Sequence, residues 1–171
     1  MKKAVVLVFG LLVASAPGVS RIPAQTAPGC DRACLLAIAD SYFAALAAHD
    51  ASKAPMAASV TVSENGLAVK PTASQSLWAR LTEGPKAFRI YVPDFVAQEI
   101  GGIAMIKVEN QPTAIGFRLK VDNGRVTEAD HVLVRIADPT AHTNLTTPRP
   151  VMLATSPRVE RLLRDALRSF A

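Results

Sequence analysis

Between Asp31 and Asp50 the apolar positions fall at Leu35, Ile38, Ala39, Tyr42 and Leu46, the i, i+3, i+4, i+7 spacing that lines one face of a helix. His49 closes the same stripe, Asp31 is placed to cap its start, and the alanine-rich composition favours the helix throughout. Tyr42 stands in the middle of the stripe, and a phenol hydroxyl taken out of water needs a partner or a cavity. Beyond Asp50 the period changes. Ala51 to Ala58 reads as a short helical turn broken by Pro55. Val60 to Glu64 alternates as a strand, Asn65-Gly66 is a hairpin signal, and Leu67 to Lys70 is the return strand. Leu77, Trp78 and Leu81 then recur at helical spacing, which predicts a second helix over Ser74 to Leu81, ended by Gly84-Pro85.

The next stretch is rich in β-forming runs. Phe88 to Val92 alternates and Pro93-Asp94 turns the chain, after which Phe95 to Glu99 is a short extended piece. Gly101-Gly102 suggests a bulge or a tight bend. Ile103 to Glu109 forms a strand closed by Asn110-Gln111-Pro112. Ala114 to Val121 puts Ile115, Phe117, Leu119 and Val121 on one face, and Asp122-Asn123-Gly124 turns into a last strand, Val126 to Ile136. Helices followed by a meander of long strands imply an α+β domain, with the helices packed on one face of a curved antiparallel sheet. Ala137 to Thr155, rich in Pro and Thr, reads as an extended linker. Ser156-Pro157 starts a C-terminal amphipathic helix with Val159, Leu162, Leu163, Ala166, Leu167 and Phe170 as its stripe. Such a helix docks on its own domain or on a second subunit; Glu160 and Asp165 on its polar face argue against a membrane surface.

Composition narrows the function classes. The formal net charge is +5, but Lys2, Lys3 and Arg21 lie in an acid-free leader, and without them it falls to about +2 with no basic run. That excludes nucleic acid as the expected partner. The leader has two lysines before an apolar stretch, Ala4 to Ala16, too short to span a bilayer. Residues 1–24 are therefore read as a signal peptide, 28–137 as the domain, 138–156 as the linker and 157–171 as the terminal helix. The expected location is exported, periplasmic or extracellular, with no stable membrane insertion after processing. Cys30 and Cys34 would then meet an oxidising compartment. Their i, i+4 spacing can be bridged only if the first helical turn distorts, so a disulfide and free thiols both remain open. No histidine or cysteine cluster has metal-ligand spacing, so no metal is expected.

ADSYFAALAAHDASKAPMAASVTVSENG, from Ala39 to Gly66, resembles the opening of the nuclear transport factor 2-like (SnoaL-like) superfamily, whose first helix carries a Tyr-x-Ala-Ala-Leu-x-x-x-Asp run. FRLKVDNGRVTEADHVLVR, Phe117 to Arg135, resembles the closing hairpin of the same fold. The resemblance implies a cone-shaped curved sheet with helices on its concave face. Within that superfamily the nearest mechanistic comparison is ketosteroid isomerase. There a helix-one tyrosine donates to the substrate oxygen and a first-strand carboxylate moves the proton. The comparison puts Tyr42 and Glu64 in those catalytic roles. The second acid of that family has no counterpart between Thr113 and Val121, a departure from steroid isomerisation itself.

Glu64 has support from its own position: it shares a strand face with Val60 and Val62 and so points where they are buried. Its other reading is a wet strand end beside the Asn65-Gly66 turn. Trp78, Tyr91 and Phe95 are candidates to line a substrate pocket, or else core aromatics. His131, on the last strand with Leu133 and Arg135, either faces the pocket or serves a surface or an interface. Arg118 alternates onto the outer face, where folds of this superfamily often pair into dimers, and a substrate-binding role would require it to turn inward. His49 reads as a helix-end charge facing the dipole. These residues point to cofactor-free proton transfer, as an isomerase, dehydratase or lyase, on a small apolar oxygen-bearing molecule, an aromatic diol being one concrete case. The alternatives are a non-catalytic binder in the same pocket, or an oligomerising domain, such as a homodimer through the sheet, whose cone is filled by side chains.

Overall fold

The computed structural model describes residues 29–157 and residue 159. The stretches expected to be a signal peptide and, for almost all of its length, a terminal helix lie outside the described residues. Helix α1, Arg32–Ala47, starts where the carboxylate of Asp31 accepts the Cys34 N–H at 2.8 Å. Its buried face is Leu35, Ile38, Ala39, Tyr42, Phe43 and Leu46. Cys30 and Cys34 are joined by a disulfide at its start. His49 leaves the helix in the left-handed region, with φ 54°, so it does not continue the buried stripe. After a 3-10 turn at Ala51–Lys53 come β1, Met56–Glu64, and β2, Leu67–Ala68, joined by an Asn65-Gly66 turn with φ of 49° and 80°. Both positive φ values are what a two-residue turn needs to match the strand twist.

Helix α2 is only Leu77–Arg80, and Leu81–Glu83 is a strand, β3. The second helix is thus shorter at both ends than its spacing predicts. Ser76 fixes the start, accepting from Ala79 N while its own hydroxyl donates to Pro71 O. Leu81 leaves the helix to pair with Val108, so the helix stops before Gly84-Pro85.

The meander is β4, Arg89–Asp94, β5, Glu99–Val108, β6, Gln111–Asp122, and β7, Arg125–Arg135. Pro93 and Asp94 remain in strand. The turn is made by residues 95–98 instead, with the Asp94 carboxylate accepting from Val96 and Ala97 N–H, so the extended piece expected from Phe95 to Glu99 does not form. The β5–β6 turn is Glu109-Asn110, and Pro112 sits inside β6.

The strands form one curled mixed sheet in the order β2-β1-β7-β6-β5-β3, with β4 also on β5. All pairs are antiparallel except β1–β7, which run parallel with Glu64 opposite His131. That pairing departs from the antiparallel sheet expected, and only the return of β7 beside the first strand creates it. On the concave side Val62, Ile100, Ile115, Leu119 and Ala129 pack against α1, most of them without solvent exposure. Each large apolar side chain so buried contributes about 1.5–3 kcal/mol. Beyond β7 the expected extended linker contains two short helices, α3, Pro139–Asn144, and α4, Pro150–Leu153.

Gly101 and Gly102 make no bulge; both stay in register between β4 and β6. The inner face explains Gly102, because a Cβ there would run into the Ile90 carbonyl oxygen and lie 3.1 Å from the Phe117 ring. Gly102→Ala is expected to destabilise by about 2 kcal/mol or more, since backbone cannot yield as a side chain can. Gly101→Ala, whose Cβ would lie 3.2 Å from the Phe117 carbonyl, should cost less. Urea midpoints of the two variants check this order.

Candidate functional site

Three elements converge on one buried polar cluster. Helical spacing turns Tyr42 of α1 inward, where it has no exposure, and β7 alternation does the same for Ala129 and His131. Tyr42 Oη and His131 Nε2 are 3.2 Å apart. The Trp78 ring stands edge-on to Tyr42, with centroids 5.5 Å apart. The parallel β1–β7 register then brings Glu64 beside His131. The surroundings are aromatic: Phe43 and Phe117 meet edge-on at 5.0 Å, and Tyr91 meets Phe117 at 5.2 Å.

Burial keeps Tyr42 and His131 neutral. Burial pushes the Tyr42 phenol well above its ordinary value; the Trp78 indole opposes the shift and the charge of Glu64 adds to it. Burial pushes His131 down to about 4, against a weaker pull upward from Asp130. The imidazole is therefore neutral at physiological pH, with Nε2 turned to the phenol. Nδ1 of His131 and Nε1 of Trp78 have no hydrogen-bond partner among the described residues. Either tautomer leaves the Tyr42–His131 pair able to work as a donor and an acceptor. With the proton on Nδ1 the ring is a free donor. With it on Nε2, the phenol hydrogen is released and Nδ1 becomes a free base.

Glu64 is buried as its strand pattern predicts, but its carboxylate is already committed. Oε1 accepts the Leu77 N–H at 2.6 Å and Oε2 lies 3.5 Å from the Arg80 guanidinium. It holds the first turn of α2, which is how Trp78 comes to lie over Tyr42. His49 adds a second tether, its Nδ1 donating to the Trp78 carbonyl at 2.7 Å, so its role is not that of a free charge at the helix end.

The structure thus brings together Tyr42, Glu64, Trp78 and His131, and the surface or interface reading of His131 is corrected by its 1% exposure. Tyr91 is half-buried and lines a 250 Å³ cavity with Phe43, Asp40 and Arg89 instead of reaching the cluster. Phe95 is 59% exposed in the β4–β5 turn and takes no part. Arg118 is on the outer face, held by Glu99 at 2.9 Å, Glu128 at 2.6 Å and Asp130 at 2.7 Å. Three carboxylates raise its pKa further and remove it from any interior role. The signal that could have promoted His131 was the alternation Ala129, His131, Leu133; nothing local in the sequence marks the Leu77 N–H as the partner of Glu64.

A cavity of 530 Å³ opens at the surface between His49 to Ser52, Pro71-Thr72 and Trp78-Ala79. Trp78 is therefore shared: it lines that cavity and also covers Tyr42. Among the described residues no group of three or more His, Cys, Asp or Glu is placed to hold a metal ion.

Residues 29–138 match the model of a family described as a domain of unknown function, DUF8021. The chain belongs to the DUF8021 family. No curated protein matches it in sequence. Among solved structures, AusH from Aspergillus nidulans is similar to this DUF8021 domain with TM-score 0.50 and 17% identity, covering 61% of this chain and 86% of that one. A ketosteroid isomerase-like protein from Kribbella flavida has TM-score 0.49 and 12% identity, over 75% of this chain and 93% of that one. An NTF2-like protein from Burkholderia xenovorans has TM-score 0.48 and 14% identity, over 70% and 100%. The DUF8021 domain of this chain has the nuclear transport factor 2-like fold. At these identities the likeness is one of fold alone.

Two expectations follow from the cluster. The native state holds His131 neutral, whereas the unfolded chain binds a proton below its ordinary value of 6.5. Stability therefore falls as pH drops from 6.5 toward 4, by about 3 kcal/mol over that window. Urea titrations at several pH values should show this slope, and His131→Gln should lose it. Glu64→Ala should cost about 2–3 kcal/mol, because it strands the Leu77 N–H and unpairs Arg80, while Glu64→Gln, which keeps an acceptor, should cost under about 1 kcal/mol. The same titrations at neutral pH separate the two.

Proposed function

We propose that this protein is an exported small-molecule enzyme of the cofactor-free proton-transfer type, an isomerase, dehydratase or lyase, acting on an apolar oxygen-bearing substrate. The observation that carries the reading is the fully buried Tyr42–His131 pair, neutral, 3.2 Å apart, with His131 Nδ1 beside it lacking a partner among the described residues. Buried polar groups are satisfied almost everywhere in native proteins, and the exceptions cluster at sites of chemistry. Tyr42 polarises the substrate oxygen as a hydrogen-bond donor, and His131 takes or returns the proton. Glu64 sits behind them with its carboxylate engaged at α2, so its part is to position Trp78 and to bias the phenol electrostatically. Phe43, Trp78 and Phe117 around the pair suit an apolar or aromatic substrate. Access runs past Trp78, the side chain that separates the 530 Å³ cavity from the pair. Export rests on the lysine-flagged apolar leader.

A second reading has its own support. None of the described cavities is lined by Tyr42 or His131, which favours a cone filled by its own side chains, serving as a binding or oligomerising domain.

Protein incubated in deuterated water with a panel of apolar ketones and aromatic diols decides between these. Mass spectrometry should find deuterium uptake or product with the wild type. Tyr42→Phe should reduce it by about 10²-fold or more, the usual contribution of a positioned proton donor or acceptor, with circular dichroism unchanged. Retention of a panel compound without turnover would leave a binding protein, and neither result would leave the filled cone.

A further inference from the structure

The outer face of the sheet is divided into two zones by strand register. One is ionic: Arg118 lies opposite Asp130 and Lys120 opposite Glu128, with Glu99 and Asp94 continuing the rows. Four acids against two bases give this zone a negative balance. The other is apolar. Ile90, Ile103, Gly116 and Val132 are successive register partners across β4, β5, β6 and β7, and Val134 lies beside them in the next row. Ile103, Val132 and Val134 are 44%, 57% and 54% exposed. The two small residues between them, Gly116 and Ala114, flatten the band into a shallow track.

The chain itself runs back toward this face after β7. Leu145 and Thr146 share a 230 Å³ cleft with Met105, Lys107 and Phe88, so the path has crossed from the end of β7 to β5. Val151, Met152 and Leu153 of α4 are then 77%, 43% and 59% exposed. The residues that follow carry the apolar stripe Val159, Leu162, Leu163, Ala166, Leu167 and Phe170, flanked by four arginines and only two acids, Glu160 and Asp165.

We propose that residues 160–170, just past the 94% exposed Val159, dock as an amphipathic helix across the apolar band of their own chain, with the arginine flanks turned to the ionic zone. Length agrees. Eleven helical residues span about 16 Å, and the band crosses four strands, about 14 Å between the outer ones. The residues from 147 to 159 are the single turn of α4, about 6 Å long, and nine others that reach up to about 30 Å if extended, so the return to the band needs no second copy. Charge agrees as well, a positive segment against a negative zone. Burying the stripe and the band together removes two apolar surfaces that water otherwise contacts.

Diazirine photolabelling of the full chain, read by mass spectrometry at Ile103, Val132 and Val134, tests this alongside sedimentation velocity at low and high protein concentration. The expected result is a monomer with weak labelling at these three residues. Labelling should rise several-fold in the full-length Leu163→Asp/Leu167→Asp variant, with thermal unfolding still cooperative. In a second variant, Val132→Lys, labelling should rise at Leu162 and Leu163. Strong labelling of the band in the wild type, or equal labelling in wild type and the double variant, would overturn the proposal. So would protection that appears only at high concentration together with a dimer, which would assign the band to a second copy.

Discussion

A curled sheet has a concave face that must be filled, and this chain has one long helix with which to fill it. Every buried position of α1 is consequently answerable to the sheet: Leu35, Ile38 and Leu46 are apolar and demand nothing more, while Tyr42 brings a hydroxyl to the floor of the cone. The hydroxyl finds His131, and the price of that single bond spreads outward. The imidazole must stay neutral, its Nδ1 has no partner among the described residues, and a carboxylate is brought within range. An all-apolar filling of the same volume would avoid these costs. That the chain carries them is the physical ground for looking to chemistry at this point of the fold.

How much of this could be read from residues depends on whether the deciding contact was local. The α1 stripe, the Asn65-Gly66 hairpin and the Ile115, Phe117, Leu119, Val121 face were readable because periodicity and turn chemistry act over a few residues. Glu64 was correctly turned inward for the same reason. Its partner was not readable, because the Leu77 N–H is an ordinary backbone group that only the path of the chain from β2 to α2 brings within 2.6 Å. His131 was undervalued for a related reason. The alternation of Ala129 and His131 puts both on one face, but that this face is the inner one is decided by the distant packing of α1 against the sheet. Gly101-Gly102 misled in the opposite sense. A paired glycine reads as a bend, yet at Gly102 the missing side chain makes room for the Ile90 carbonyl in a regular strand.

The outer face follows a different physics. Arg118 is held by three carboxylates in a network, the arrangement in which surface ion pairs gain from shared geometry rather than from isolated Coulomb attraction. Such a network fixes register across β5, β6 and β7 without any core packing. Beside it the apolar rows lack that device, and a sheet face left apolar in water invites cover.

Inside the cone, stability and reactivity draw on the same groups. A neutral buried histidine makes the fold sensitive to acid, and a rigidly capped α2 makes the interior hard to enter. Both are costs if the protein is only a scaffold, and both are requirements if it moves protons in a dry site, where a neutral imidazole is the usable base and excluded water keeps the transferred proton on its route. Trp78 is where the two demands meet. It is anchored through the Leu77 N–H on one side and its own carbonyl on the other, yet it belongs to a helix of only four residues, set between a run of turns and β3. Leu77 of the same element is fully buried in the core as well, so the covering opens at least cost when the indole turns outward and the helix stays seated. A substrate large enough to displace the indole would carry its own apolar surface into the same space, which offsets the loss and links entry to binding in one step.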